Sequence, residues 1–530
     1  MMNNLYVFAI GGSGERVMKS LIMMLATGMP LGAKKLIPVF VDNDVNSNAL
    51  TSCLDLINYY RANPETDKTD EVGLHNICSK TSGDLGSVPS FAHVDVEKPI
   101  ILNVAGDHIG NLDKIIGNLD TKKKYEDSIN EEKNLLFTED DLKMPLTVGF
   151  VGNPNIGSVV LNSLSLQGDE FTTIYGDAGS SDGVFVIGSL FGGTGAAGFP
   201  LIVNKFMSDD NAHNPLLGGV AILPYFNLQS RDGTKGLIDT ERFDVNSETF
   251  TSKTRAALMY YDEYMRNMHY MYYVGDSSKR SMYPHFVGGV KQENPYNIIE
   301  VMAALSVINF SQKDTNSKPT DVVYQMPIWD FDKETLSNVS SIRNKALKRS
   351  LVKFQIMKSM FESPDFIKWD IEQEHEFVKD IKFDFQMLSA ILNKDDEAKY
   401  PLAWSIRNIF GQWDKWINEL GSNKVKRQLR IFNSNDVAVT RENISQLFFS
   451  NNSNGIAKTE TYKEWTMYGF RPKHVEKTRV LSPKIEDAML KAYRSLGVKT
   501  AIASKDKALS TLLLVISKAL DDVIDNFCDL

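Results

Sequence analysis

The chain has 530 residues, 58 basic against 67 acidic side chains, and 42% hydrophobic residues. That length supports several compact units around a large core, and the apolar fraction excludes wholesale disorder. A formal charge of −9 argues against a general nucleic-acid or anionic-membrane binder, since those contacts need a dense basic surface.

Residues 5–10 (LYVFAI) are a continuous apolar run with β-branched and aromatic side chains, the pattern of a strand buried on both faces of a parallel sheet. Residues 16–27, rich in Met and Leu with Gly28 as a stop, read as a helix, and residues 36–41 (LIPVFV) as the next strand. Strand, glycine turn, helix and strand make a βαβ unit, which predicts a doubly wound α/β sheet. Residues 99–104, 146–151 and 183–189 are further short runs suited to parallel strands, with a charge-dense surface insertion at 107–144. A second βαβ-like unit follows: strand 183–189, helix 194–207 and strand 218–224. Helix 251–266 and strand 269–274 continue the alternation. Residues 294–310 are apolar almost all round, which marks a helix buried on several sides.

Beyond a polar, breaker-rich linker near residue 312, helical periodicity dominates, over 333–363, 370–392, 401–420, 483–497 and 504–526. Lys345, Lys348, Arg349, Lys353 and Lys358 form a basic stripe, read as a solvated face or, second, as a contact for an acidic neighbouring subunit. The tyrosines between residues 260 and 273 suit core and subunit-interface packing better than a nucleic-acid platform. The three cysteines, Cys53, Cys78 and Cys528, lack metal or disulfide spacing, which favours a reducing compartment. No signal-peptide pattern opens the chain and its apolar runs are too short to insert in a bilayer, so the expected location is cytoplasmic.

Two glycine loops carry the chemistry. Gly11, Gly12, Ser13 and Gly14 join the first strand to the first helix. Glycines leave backbone N–H groups unshielded, and a helix N-terminus adds partial positive charge, so such a turn suits phosphate. No Gly-Lys-Ser/Thr ending is present for a P-loop. A dinucleotide fingerprint would have Val17 where its third glycine belongs, with Asp42 as the ribose-binding acid, which keeps an NAD-binding oxidoreductase as a competing reading. A second loop, Gly192, Gly193, Thr194, Gly195 and Ala196, follows a later strand and precedes another helix. Two phosphate-grade loops on one sheet suit a di- or triphosphate gripped from two sides.

With these loops, the chain resembles the tubulin/FtsZ superfamily, whose signature is G-G-G-T-G-[ST]-G. Phe191 stands for the first glycine, Gly192, Gly193, Thr194 and Gly195 match, Ala196 and Ala197 depart, and Pro200 falls where the family has proline. Asp42, Asn43 and Asp44 stand where FtsZ has Asn-Thr-Asp, and residues 220–226 (VAILPYF) resemble the strand after the signature helix. The resemblance covers roughly residues 1–335. It implies a Rossmann-like parallel-sheet GTP-binding domain (about 1–293), a central helix (294–312) and a helix-rich α+β C-terminal domain (313–530). Residues 322–328, 477–481 and 498–503 would supply strands of that last domain, and about 362–450 would be a helical insertion.

It further implies that both loops hold the phosphates of GTP or GDP, with Glu15 in the first loop and with Asp42, Asn43 and Asp44 near the terminal phosphate or its Mg2+. Asn297 and Glu300, early in the central helix, would read the guanine edge. Asn246 would touch ribose or base. Family members hydrolyse nucleotide with acids of the next subunit. Asp330 or Asp332 would take that part, Asp332 also reading as a helix N-cap, with Asp314 and Asp321 in reserve. The expected function is head-to-tail self-assembly into filaments or rings with slow GTP hydrolysis, in a prokaryotic cytoskeletal or membrane-remodelling role. The expected partners are further copies of the chain and a membrane-associated or operon-encoded protein, with no nucleic acid and no direct membrane insertion. The alternatives are a non-hydrolysing nucleotide-dependent scaffold and the NAD-binding oxidoreductase.

Overall fold

The structure, a computed structural model, describes residues 1–61, 94–103, 110–119, 126–144, 146, 149–150, 152–164, 169–207, 214–228, 247–265, 268–276, 281–284, 293–325, 344–362, 401–422, 459–468, 471–480, 488–489, 491–492, 495 and 505–527.

The chain opens with β1 (Met2–Ile10), α1 (Gly11–Ala26), β2 (Ala33–Asp42) and α2 (Asn48–Arg61). Then come β3 (Asp95–Val96), β4 (Ile100–Asn103), α3 (Leu112–Leu119), α4 (Glu126–Leu136), α5 (Glu139–Lys143), α6 (Pro154–Leu164) and α7 (Asp169–Asp177). β5 (Gly183–Ser189), α8 (Gly193–Met207), β6 (Leu216–Ile222), β7 (Phe226–Leu228), α9 (Phe250–Tyr264), β8 (Tyr270–Val274) and β9 (Ser281–Tyr283) follow. The central helix is α10 (Ile298–Ser311), followed by β10 (Val323–Gln325), α11 (Lys345–Glu362), α12 (Pro401–Ser422), β11 (Thr459–Tyr468), β12 (Arg471–Val480) and α13 (Lys505–Phe527).

The central sheet runs β10-β8-β6-β5-β1-β2-β3, with β4 also pairing β2, and every pair in it is parallel. This is an α/β architecture with a Rossmann-like order: from β1 the chain winds out to one edge, then returns to β5 and winds to the other. β1 shows why its sequence is apolar throughout. Leu5, Val7 and Ala9 enter one core with α1, α2 and α10, while Tyr6, Phe8 and Ile10 enter the opposite core with α6, α7 and α8. The first core extends into a further layer, because α11 packs on α1 and α12 on α2, with α13 against α11 and α12. Trp413 and Trp416 of α12 are fully buried, and the Trp416 indole N–H donates to Ser20 Oγ of α1 at 3.2 Å.

The structure corrects four expectations. The glycines after β1 are the first turn of α1 and not a loop before it. Residues 146, 149 and 150 lie in no strand but in a turn leading to α6. β10 joins the edge of the central sheet beside β8, not a separate C-terminal sheet, whereas β12 pairs β11 in an antiparallel hairpin. The basic stripe of α11 is not a solvated face: Arg349 and Lys353 both hold Asp521 of α13, and Lys358 holds Asp414 of α12. The acidic partner of that stripe is in the same chain. The expected helices at 370–392 and 483–497 and the expected strand at 498–503 lie wholly or largely outside the described residues.

Among the described residues no helix is long and apolar enough to cross a membrane.

Candidate functional site

In open α/β sheets, a crevice forms at the carboxyl ends of the strands where the winding reverses. Here that point lies between β1 and β5, and a cleft opens there. Gly11, Gly12 and Ser13 line it from α1, Asp42 and Asp44 from the end of β2, and Gly192, Gly193, Thr194 and Gly195 from the start of α8. Neither α1 nor α8 has an acidic residue in its first turn, and α1 has no side-chain cap. The first N–H groups of a helix have no partner within it, so two positive helix ends, one of them uncapped, face one crevice.

Local packing explains the glycines. Gly11 takes a φ of +67°, and a Cβ on it would lie 3.2 Å from Thr194 Cβ, so the two helix starts nearly touch. A Cβ on Gly193 would lie 2.8 Å from Phe150 Cβ and 3.2 Å from Gly152 N. That contact exposes a third element. Gly149 and Gly152 both line the cleft and take φ of +81° and +70°, in a turn closed by the Asn153 N–H donating to Phe150 O at 2.7 Å. The signal was present in the sequence as Gly-x-x-Gly-Asn-Pro, a paired glycine before a helix-opening proline.

Behind the cleft sit buried acids. Glu15 is fully buried; its Oε2 accepts from Ser47 Oγ at 3.0 Å and its Oε1 has no hydrogen-bond partner. Burial, then the charge of Asp42, holds the Glu15 carboxyl well above the usual carboxylate range. Burial likewise pushes Asp42 up to about 6, against the N–H groups of Asp44 and Asn43, which donate to its Oδ1. Asn43 is buried with both side-chain polar atoms unpartnered. Among the described residues no group of three or more His, Cys, Asp or Glu side chains is placed to hold a metal ion.

The other end of the cleft is aromatic. Phe191, Phe226, Phe250 and Tyr283 line it, with Phe226 stacked on Tyr283 at 5.0 Å and Phe191 against Phe250 at 4.7 Å. Asn294 lines the same cleft with its Oδ1 buried and unpartnered. Such an aromatic wall with one polar group suits a planar ring system. Phe191 and Phe226 entered the sequence reading only as parts of the signature and of the strand after it, and the wall itself was not read, because its members are scattered over about 100 residues.

Glu300 and Asn297 lie beside this end but are not among the lining residues. Glu300 is fully buried, and its carboxylate accepts from Arg16 Nε at 2.7 Å, Arg16 Nη2 at 3.1 Å, the Tyr225 hydroxyl at 2.9 Å and the Asn297 N–H at 3.0 Å. Asn297 caps α10, its Oδ1 accepting from the Ile299 N–H. Arg16 also donates to the carbonyls of Asn294 and Pro295, which ties α1 to the segment entering α10.

Of the remaining predicted residues, Gly14 is buried under the first turn of α1, where a Cβ would meet Ala9 C at 2.8 Å. Ala196 opens onto a neighbouring cavity. Asn246, Asp330 and Asp332 lie outside the described residues. Asp314 and Asp321 are exposed beyond the C-terminal end of α10. That end is tied to the amino edge of the sheet, with the Gly32 N–H donating to Ser311 Oγ and the Met2 N–H to Gly32 O. α10 thus spans the sheet from the cleft to its opposite edge, about 20 Å at 1.5 Å per residue.

Compared with protein-family models, with curated proteins and with solved structures, the chain matches none.

Proposed function

We propose that the chain binds a nucleoside di- or triphosphate, GTP in the first instance, and assembles head to tail through it in the manner of tubulin and FtsZ. The observation that carries this reading is the meeting of the α1 and α8 N-termini, uncapped on the α1 side, in one cleft with a glycine turn between them. Their N–H groups are fixed acceptor-seeking dipoles that hold phosphate oxygens without a basic surface, which accounts for a phosphate site in a chain of charge −9. The aromatic wall lies where a base would follow the phosphates. Arg16, by pairing with Glu300 and two carbonyls, orients the segment carrying Asn294 against that base.

Mg2+ fits this site only in company. It prefers one or two carboxylates plus phosphate oxygens to an all-protein cage, and Asp42 and Asp44 line the cleft while Glu15 and Asn43 bring unpartnered polar atoms behind them. When bound it would offset phosphate charge. Asp42 and Asp44 would hold it, and Thr194 would orient a phosphate oxygen with its hydroxyl.

The exposed acids after α10 sit at the edge opposite the cleft of the same chain, so in a head-to-tail array they face the nucleotide of the next copy. That supports hydrolysis completed between subunits by Asp314 or Asp321, with Asp330 and Asp332 as further candidates. A dedicated binding protein would engage the C-terminal helices.

The test is to purify the chain, identify any co-purifying nucleotide by chromatography, and measure sedimentation and phosphate release with GTP or ATP and Mg2+. Nucleotide-dependent pelleting that Gly193→Trp abolishes is the expected result. Bound NAD with no assembly would overturn it.

A further inference from the structure

The turn carrying Gly149 and Gly152 is gripped from the side away from the cleft by α9. Lys253, in the first turn of that helix, donates from Nζ to the Gly152 carbonyl oxygen at 2.6 Å. Its side chain is half-buried and lines the cavity behind the turn. The bond is strong for its kind, because a charged donor is only partly screened there.

The conformation of the turn explains why such a grip matters. In a trans peptide the carbonyl and the following N–H point in opposite directions. Gly149 and Gly152 both take a positive φ, and a glycine backbone rotates with little steric resistance. A Gly152 carbonyl turned into the cleft would set its negative end against a phosphate. The Gly152–Asn153 peptide is held at both ends, its N–H donating to Phe150 O and its carbonyl oxygen accepting from Lys253, while Asn153 Nδ2 donates to Asp141 Oδ1 at 3.1 Å; losing the lysine leaves the peptide with one bond to keep it in place.

We infer that Lys253 is a positioning residue for phosphate binding: its ammonium holds the Gly152 carbonyl out of the cleft and seats the glycine turn against the N-terminus of α8. This rests on the cleft being a nucleotide site. Lys253 does not line the cleft and acts through the turn.

The full chain is compared as wild type, Lys253→Met and Lys253→Arg, with Kd for GTP and ATP measured calorimetrically in Mg2+. Backbone amide exchange is followed in the ligand-free proteins. Methionine should weaken binding at least tenfold and speed exchange across residues 149–157, while exchange in β6 stays unchanged. Arginine, which keeps a cation at the carbonyl, should stay within threefold of wild type. If exchange in β6 also rises with methionine, Lys253→Gln replaces it in the same comparison. Methionine or glutamine binding within twofold of wild type, or arginine as weak as methionine, overturns the assignment. A wild type that binds neither nucleotide overturns the site itself and this role with it.

Discussion

A carboxylate placed at Gly12 separates the ligand from the fold. Gly12 is exposed in the first turn of α1, a Cβ on it meets nothing within 4 Å, and that turn has no acidic side chain. In the ligand-free chain Gly12→Asp removes a helical glycine and sets a negative charge at the positive end of the helix, which together stabilise by about 0.5–1 kcal/mol. Toward a bound phosphate the sign reverses. Two unit charges about 4 Å apart, at an effective dielectric constant of about 20, repel by about 4 kcal/mol, on the order of a thousandfold in Kd. The assay is thermal unfolding of nucleotide-stripped wild type and variant, with and without GTP or ATP and Mg2+, followed by calorimetric titration. The variant should melt at or above the wild-type temperature alone and lose the rise that nucleotide produces. Wild-type affinity in a folded variant would refute the placement of phosphate on α1.

Three further outcomes follow from the same geometry. Asp42 has its folded pKa raised from 3.8 to about 6, so between those values the folded chain binds more protons than the unfolded one. Stability of the stripped protein should therefore fall as pH rises through that window, with Asp42 contributing on the order of 3 kcal/mol; Asp42→Asn should make the fall shallower, leaving the part that Glu15 contributes in the same direction, and an unchanged profile would count against the burial argument. Asp521→Ala leaves Lys353, nearly buried, and Arg349 without their shared carboxylate, and should lower stability by about 3 kcal/mol in urea unfolding; a loss under 1 kcal/mol would mean that the pair is replaceable by water. Asp314→Asn with Asp321→Asn should slow phosphate release in assembled protein at least tenfold while nucleotide Kd stays within twofold; equal loss of binding would place these acids in the subunit's own site.

What was legible in the sequence follows from local rules. Strands buried on both faces must be apolar at every position, so residues 5–10 and 183–189 announced themselves and their parallel sheet. Glycines before a helix announced the starts of α1 and α8. The third turn was masked, because Leu-Thr-Val-Gly-Phe-Val, residues 146–151, has a strand's composition that overrides the Gly-x-x-Gly-Asn-Pro signal within and after it. Only the positive φ of Gly149 and Gly152 and the packing of Phe150 under Gly193 make it part of the cleft.

Charge pairing was decided by tertiary structure alone. Arg16 meets Glu300 across 284 residues and Lys353 meets Asp521 across 168, distances over which no helical or strand period carries information. Sequence placed Glu300 near a base; the fold surrounds it with Arg16, Tyr225 and the Asn297 N–H, because a buried carboxylate needs its lone pairs filled. The sequence by itself determined the fully buried strands β1 and β5 and the glycine-rich starts of the helices that follow them. The tertiary structure decided which of those groups face one another, because convergence in space depends on the order in which the strands are laid side by side.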